Sequence, residues 1–175
     1  MMKHALLTTA FVLATLSGAL AQGAAKPTLV GTFTDWTMWS YTGSYTGSGE
    51  GKICYIYAEP SNMTPPKLDH GRVSFSITSS PAQGVQNEAN FVTGYALREQ
   101  TPVTVDIDGK KFTMFTQGDS AWLLDKSDEP QLLAAMKNGK KMVVSAQSRR
   151  GNKTTYNYSL SGVTAAADKM IAECQ

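Results

Sequence analysis

Val103-Thr104-Val105-Asp106-Ile107-Asp108-Gly109-Lys110-Lys111-Phe112-Thr113-Met114 is the stretch that decides the fold. Val103, Val105 and Ile107 alternate with polar residues, the period of a half-buried strand. Asp108-Gly109 then supplies the two central residues that a type I′ turn favours, and that turn matches the twist of two antiparallel strands. Phe112 and Met114 resume the alternation on the return. One face of this hairpin is apolar, so it needs further strands or a helix to cover it.

Towards the C-terminus, Gly118 to Leu124 contains Ala121 and Trp122 and reads as another short strand. Ser127 or Asp128 caps a helix that has Pro130 in its first turn and ends before Gly139. Leu132, Leu133 and Met136 form its apolar stripe. Lys141 to Gln147 and Thr154 to Leu160 read as two strands joined by Arg150-Gly151-Asn152. Gly162 breaks the chain, and Thr164 caps a last helix running to about Glu173. Ala167, Met170, Ile171 and Cys174 fall on one face of that helix.

Towards the N-terminus, Phe91 to Leu97 is a weaker strand, and Arg72 to Thr78 alternates Val73, Phe75 and Ile77 with polar residues. Pro60 to Asp69 holds three prolines and reads as loop. Lys52 to Ala58 is a strand. Tyr41-Thr42-Gly43-Ser44 is repeated at once as Tyr45-Thr46-Gly47-Ser48. The repeat is too short for a solenoid and reads as a lengthened hairpin loop. Its glycines do not open a helix, so it lacks the context of a phosphate-cradling loop. Leu29 to Tyr41 reads as one strand with room for a bulge. The sum is about eight or nine short strands with two late helices. That pattern defines a mainly β fold: an antiparallel immunoglobulin-like β-sandwich, or a partly closed barrel, with two short peripheral helices. An outer-membrane barrel fits poorly, because its strands run to about 9–11 residues without helical interruption.

The chain has 175 residues, 42% of them hydrophobic, which suits one domain with a sizeable core. Residues 1–21 read as a secretory signal peptide: Lys3 supplies the basic start, Ala5 to Leu16 the apolar run, and small residues lead to cleavage after Ala21. A membrane anchor is the other reading, but the run is well short of the ~20 residues that span a bilayer. The expected product is a single domain, 22–175, exported to the periplasm or the outer surface, with no transmembrane span. Export places Cys54 and Cys174, the only two cysteines, in an oxidising compartment. The even count and the inward helical position of Cys174 favour a Cys54–Cys174 disulfide over two buried free thiols.

A net charge of +2 carries no nucleic-acid signature. The distribution is uneven: Lys137, Lys140, Lys141, Arg149, Arg150 and Lys153 occupy 130–167 with no acid among them. Lys140, Lys141, Arg149, Arg150 and Lys153 read either as a face for an anionic partner, such as lipid headgroups or surface polysaccharide, or as solvated strand ends. Trp36, Trp39 and Tyr55 belong to an aromatic cluster in the first strands. They read as a ligand or partner surface, although alternation sends about half of such residues into the core. His70 is the sole histidine after cleavage and reads as a solvated turn residue. No nucleophile–base arrangement, metal-ligand set or cofactor motif stands out, so catalytic residues, metal and cofactors are all read as none. Paired carboxylates remain open, because the fold sets their spacing.

Several segments in a fixed order carry a family resemblance. They are Phe33-Thr34-Asp35-Trp36, Lys52-Ile53-Cys54-Tyr55, Asn87-Glu88, Gly94-Tyr95, Phe112 and Phe115, and Gly118-Asp119-Ser120-Ala121-Trp122. Leu133-Ala134-Ala135-Met136-Lys137-Asn138-Gly139, Met142-Val143-Val144, Ser148-Arg149-Arg150-Gly151, Tyr158-Ser159-Leu160-Ser161-Gly162 and a helix ending in Cys174 follow. In these the chain resembles the invasion-associated locus B family of exported bacterial proteins. The resemblance implies an exported β-sandwich-like domain of the bacterial envelope with a part in host-cell entry. It implies no catalytic residues. Asn152, Tyr156 and Val163 depart from the residues more usual there, and Met38 and Trp39 stand where some relatives carry an extra cysteine. The expected function is a non-enzymatic envelope protein that binds an unidentified protein or envelope polymer. The alternative is a small periplasmic enzyme or ligand-binding domain acting on envelope polymers.

Overall fold

The computed structural model describes residues 25–47 and 49–175. The expected signal segment, 1–21, and the last residue of the Tyr-Thr-Gly-Ser duplication lie outside the described residues. The strands are β1 (Thr28–Phe33), β2 (Trp36–Gly43), β3 (Gly51–Ala58), β4 (Asn62–Thr64), β5 (Ser74–Ser80), β6 (Val85–Val92), β7 (Val103–Ile107), β8 (Lys110–Gln117) and β9 (Ser120–Leu123). Helix α1 (Glu129–Asn138), β10 (Lys141–Gln147), β11 (Lys153–Ser159) and helix α2 (Val163–Glu173) complete the order.

The 11 strands form one sheet in the order β1-β2-β3-β5-β6-β9-β8-β7-β10-β11-β4. Every pairing is antiparallel. The sheet does not close: β1 and β4 are its free edges. It folds over on its apolar face instead. Tyr156 of β11 lies 5.4 Å from the Phe91 ring of β6, and Tyr158 lies 6.0 Å from Phe75 of β5. Strands far apart in the order thus meet across one core, a sandwich-like arrangement of a single sheet. Of the two expected forms of the mainly β fold, this open, folded-over sheet is the sandwich-like one.

The β7–β8 hairpin is as its sequence dictates. Val103, Val105, Ile107, Phe112 and Met114 are buried, and Asp108 and Gly109 take φ of +49° and +96°. Asp106 steadies the turn by accepting from the Gly109 N–H at 2.8 Å. Helix α1 buries Leu132, Leu133 and Met136 and stops at Gly139. Helix α2 packs on β1, β2 and β3, burying Val163, Ala166, Ala167 and Met170. Cys174 at its end joins Cys54 of β3 with an S–S distance of 2.06 Å. Ile171, expected on the buried face of α2, is 40% exposed, and Val163 and Ala166 take that role.

Three strand expectations change. Leu29 to Tyr41 is not one strand but the β1–β2 hairpin, turning at Thr34-Asp35 with Phe33 opposite Trp36. Thr34 adopts φ +54° there, a conformation that a β-branched residue does not advertise. Pro60 to Asp69 is not all loop, because Asn62–Thr64 forms the short edge strand β4 on β11. The weak strand at Phe91 to Leu97 lies earlier, at Val85–Val92. Its outward residues Gln86, Glu88 and Asn90 are polar, and Asn87 at φ +58° interrupts the regular strand, so the apolar signal is thin.

Candidate functional site

The register of β10 and β11 decides what the basic stretch can do. Lys141 pairs with Ser159 at one end of this hairpin, and Gln147 pairs with Lys153 at the other. Six residues of strand separate the two ends by about 20 Å. The expected face of Lys140, Lys141, Arg149, Arg150 and Lys153 is therefore two poles rather than one surface. All five residues are exposed, but they sit at opposite ends of the sheet.

The first pole gathers lysines. The Lys140 N–H donates to the Asp108 carboxylate at 2.7 Å, which seats Lys140 and Lys141 against the β7–β8 turn, beside Lys110 and Lys111 at the start of β8. The second pole gathers arginines. The segment after β6 runs back alongside β10: Arg98 N–H donates to Gln147 O, and Arg149 N–H donates to Ala96 O, both at 2.8 Å. Leu97 and Ser148 form a β-bridge between these segments. Arg98, Arg149 and Arg150 consequently line one open cleft of about 580 Å³ with Glu99 and Gly151. Glu99 approaches Arg149 at 3.7 Å, an exposed and weak pair. Sequence reasoning missed Arg98, because its placement depends on a bridge between segments some 50 residues apart.

A second cleft, of about 560 Å³, adjoins the arginines and is lined by Asp69, Tyr95, Ser148, Arg149 and Asn152 among others. Beneath it lies a buried polar chain that sequence reasoning also missed. His70 is 5% exposed, not the solvated turn residue expected. Its Nε2 lies 2.9 Å from the Pro65 carbonyl, which can only accept, so Nε2 carries the ring proton. In the neutral ring Nδ1 then accepts from the Tyr156 hydroxyl at 2.9 Å. The Tyr95 hydroxyl lies 2.7 Å from both Tyr156 Oη and Thr154 Oγ1. Burial, then the bond with Tyr95, pushes the Tyr156 hydroxyl well above the ordinary phenol range. The available signal was the inward alternation of Thr154, Tyr156 and Tyr158 on one strand. Three hydroxyls aimed into a core demand partners. Both His70 nitrogens are engaged, so the ring serves the fold and is not presented as a base or a metal ligand.

The aromatic expectation divides. Trp36 is fully buried and its Nε1–H donates to Ser159 O at 2.9 Å, so it is core and not surface. The alternation of β2 sends Trp36 and Met38 inward together. Trp39 and Tyr55 pair across β2 and β3 on the outer face, both half-buried. Tyr41 meets Tyr55 edge-on at 6.4 Å. The second Tyr of the duplication, Tyr45, folds onto this outer face and its hydroxyl donates to Glu88 at 2.6 Å. Burial, then that bond, raises the Tyr45 hydroxyl above its ordinary range.

Among the described residues, no pair of carboxylates converges in either arginine-side cleft. The two arginine-side clefts hold Glu99 and Asp69 singly. Burial, then repulsion from Glu88, raises the Glu129 carboxyl, but the Glu88 carboxylate is taken up by Tyr45. Among the described residues, no group of three or more His, Cys, Asp or Glu could hold a metal ion, and no helix is long and apolar enough to cross a membrane.

Fold and site together define a disulfide-tied, sandwich-like β domain with an arginine pole and a lysine pole. Residues 39–171 match the model of the invasion associated locus B (IalB) protein family, and the chain belongs to that family. The crystal structure of invasion associated protein B from Bartonella henselae shares the fold, with a TM-score of 0.58 at 16% identity. The match covers 83% of this chain and 97% of that one. No curated protein matches the chain.

Proposed function

We propose that this IalB-family protein is an exported, non-enzymatic envelope protein that binds an anionic macromolecular partner through its arginine pole. The gathering of Arg98, Arg149 and Arg150 in one exposed cleft carries this reading. Three guanidiniums on two bridged segments present forked donors that suit phosphate, sulfate or carboxylate groups. The disulfide between Cys54 and Cys174 supports an oxidising, extracytoplasmic location. A part in host-cell entry follows the family name and would use the same pole.

Binding to isolated bacterial envelopes and to immobilised polyphosphate, measured over a range of salt, tests the reading. Exposed charge contacts weaken as salt shortens the screening length. Arg149→Glu with Arg150→Glu is expected to lower binding more than about tenfold, since each charge reversal opposes the partner. Lys140→Glu with Lys141→Glu, at the other pole, leaves it within about twofold. Binding that ignores salt, or that depends on the lysines instead, overturns the assignment.

A further inference from the structure

The arginine pole adjoins an apolar groove on the outer face of β7–β9. Phe115 is 43% and Leu124 67% exposed, and with Pro102, Thr113 and Thr116 they border a groove of about 440 Å³. Phe115 stacks on Trp122 at 5.9 Å, which widens the apolar border. The strap from Arg98 to Pro102 joins the groove to the pole. Pro102 and Thr101 line the groove at one end of this strap, and Arg98 lines the arginine cleft at the other. The Thr116 hydroxyl, at the groove, donates to the Arg98 carbonyl at 3.1 Å. Groove and arginine cleft are therefore neighbours joined by the five residues of one strap, the first apolar and the second cationic.

Resting on the anionic-partner reading above, we propose that this surface docks on an anionic lipid leaflet. The arginines take the headgroup phosphates, while Leu124 and Phe115 enter the boundary with the acyl chains. A soluble polyanion would engage the arginines but leave the groove empty. An apolar peptide would fill the groove but leave the arginines unmatched. An anionic amphiphile satisfies both at once, and basic residues beside shallow apolar contacts are what interfacial binding requires. Glu99 is the internal competitor, since its carboxylate lies 3.7 Å from Arg149 and its negative charge opposes an incoming phosphate.

Co-sedimentation with vesicles tests this, comparing phosphatidylcholine alone with phosphatidylcholine containing phosphatidylglycerol. The protein is purified after export with its disulfide intact, so that all variants share one N-terminus. Expected is binding to the anionic vesicles only, weakened about tenfold by Leu124→Ser and about tenfold to thirtyfold by Arg149→Gln with Arg150→Gln. Glu99→Gln is expected to strengthen it several-fold. These side chains are exposed, and thermal melting of each variant confirms an unchanged fold. Arginine-dependent binding to polyphosphate without vesicle binding overturns the lipid assignment and leaves the anionic-partner reading standing. Binding to neither overturns both. Vesicle binding indifferent to Leu124 removes the groove from the interface.

Discussion

Tyr156 and Tyr158 stand two residues apart on β11, both fully buried, yet their hydroxyls have opposite circumstances. Tyr156 bridges His70 and Tyr95 at 2.9 and 2.7 Å. The Tyr158 hydroxyl has no partner among the described residues. Removing one member of a buried network strands the others, whereas removing an orphaned hydroxyl relieves a desolvation cost. Tyr156→Phe should therefore destabilise by about 1–3 kcal/mol, and Tyr158→Phe should stabilise by about 1 kcal/mol. Equilibrium denaturation reads both, and a loss of stability in Tyr158→Phe would refute the distinction. The pH dependence follows the same residues. Burial first, then neighbouring tyrosines, holds Tyr158 above the ordinary phenol value of 10.0, and burial with the Tyr95 bond does so for Tyr156. The folded chain keeps these protons while the unfolded chain releases them near that value. Their contribution is thus complete below about pH 10 and is lost as pH rises towards the folded values. Tyr158→Phe should flatten the alkaline fall in melting temperature.

At the scale of elements, the β1–β2 hairpin and the start of α2 lock each other. Gly162 caps α2 with φ +91°, and a Cβ there would collide with the Phe33 carbonyl and crowd Thr34. Asp35 N–H also donates to Ser161 O, at 3.3 Å. Gly162→Ala combines the left-handed backbone penalty with this collision and should cost about 2 kcal/mol or more. Gly118→Ala has positive φ but open space around it, so it should cost only about 1 kcal/mol. Equal losses in denaturation midpoint would mean that the Phe33 contact is irrelevant. This contact also explains what the sequence could and could not tell. Asp108-Gly109 announced its turn because both residues belong to the turn itself. Thr34-Asp35 did not, because its geometry is held from outside, by Ser161 and Gly162. Likewise α1 was legible from Pro130, its apolar stripe and Gly139, while β4 was hidden among prolines, being defined only by its pairing with β11.

Across the whole molecule, the legible part is again what neighbouring residues determine. Alternation and turn chemistry gave the mainly β class, but the single folded-over sheet arises from contacts such as Tyr156 on Phe91, which no local pattern encodes. The same limit split the basic stretch: sequence adjacency joined Lys141 to Arg149, and strand length parted them. Cys54–Cys174 is the exception, a long-range contact legible because the expected export, the even count and the helical phase of Cys174 all converge on it. It spans 120 residues and ties the end of α2 to the inward face of β3. Beside it, Lys52 meets Glu173 at 2.6 Å, an exposed pair whose contribution is small and salt-sensitive. The covalent tie therefore governs the last turn of α2, while Val163, Ala166, Ala167 and Met170 hold the rest of the helix by burial. Replacing both cysteines by alanine frees a loop whose closure is worth up to roughly 5 kcal/mol in the unfolded chain. The denaturation midpoint should fall sharply while the sheet still folds. Hydrogen exchange should quicken at Met170–Cys174 before it does in β7 and β8, because local opening there no longer requires breaking a bond. A midpoint unmoved by the double replacement, or α2 amides that exchange only with the whole sheet, would show that packing alone secures the helix.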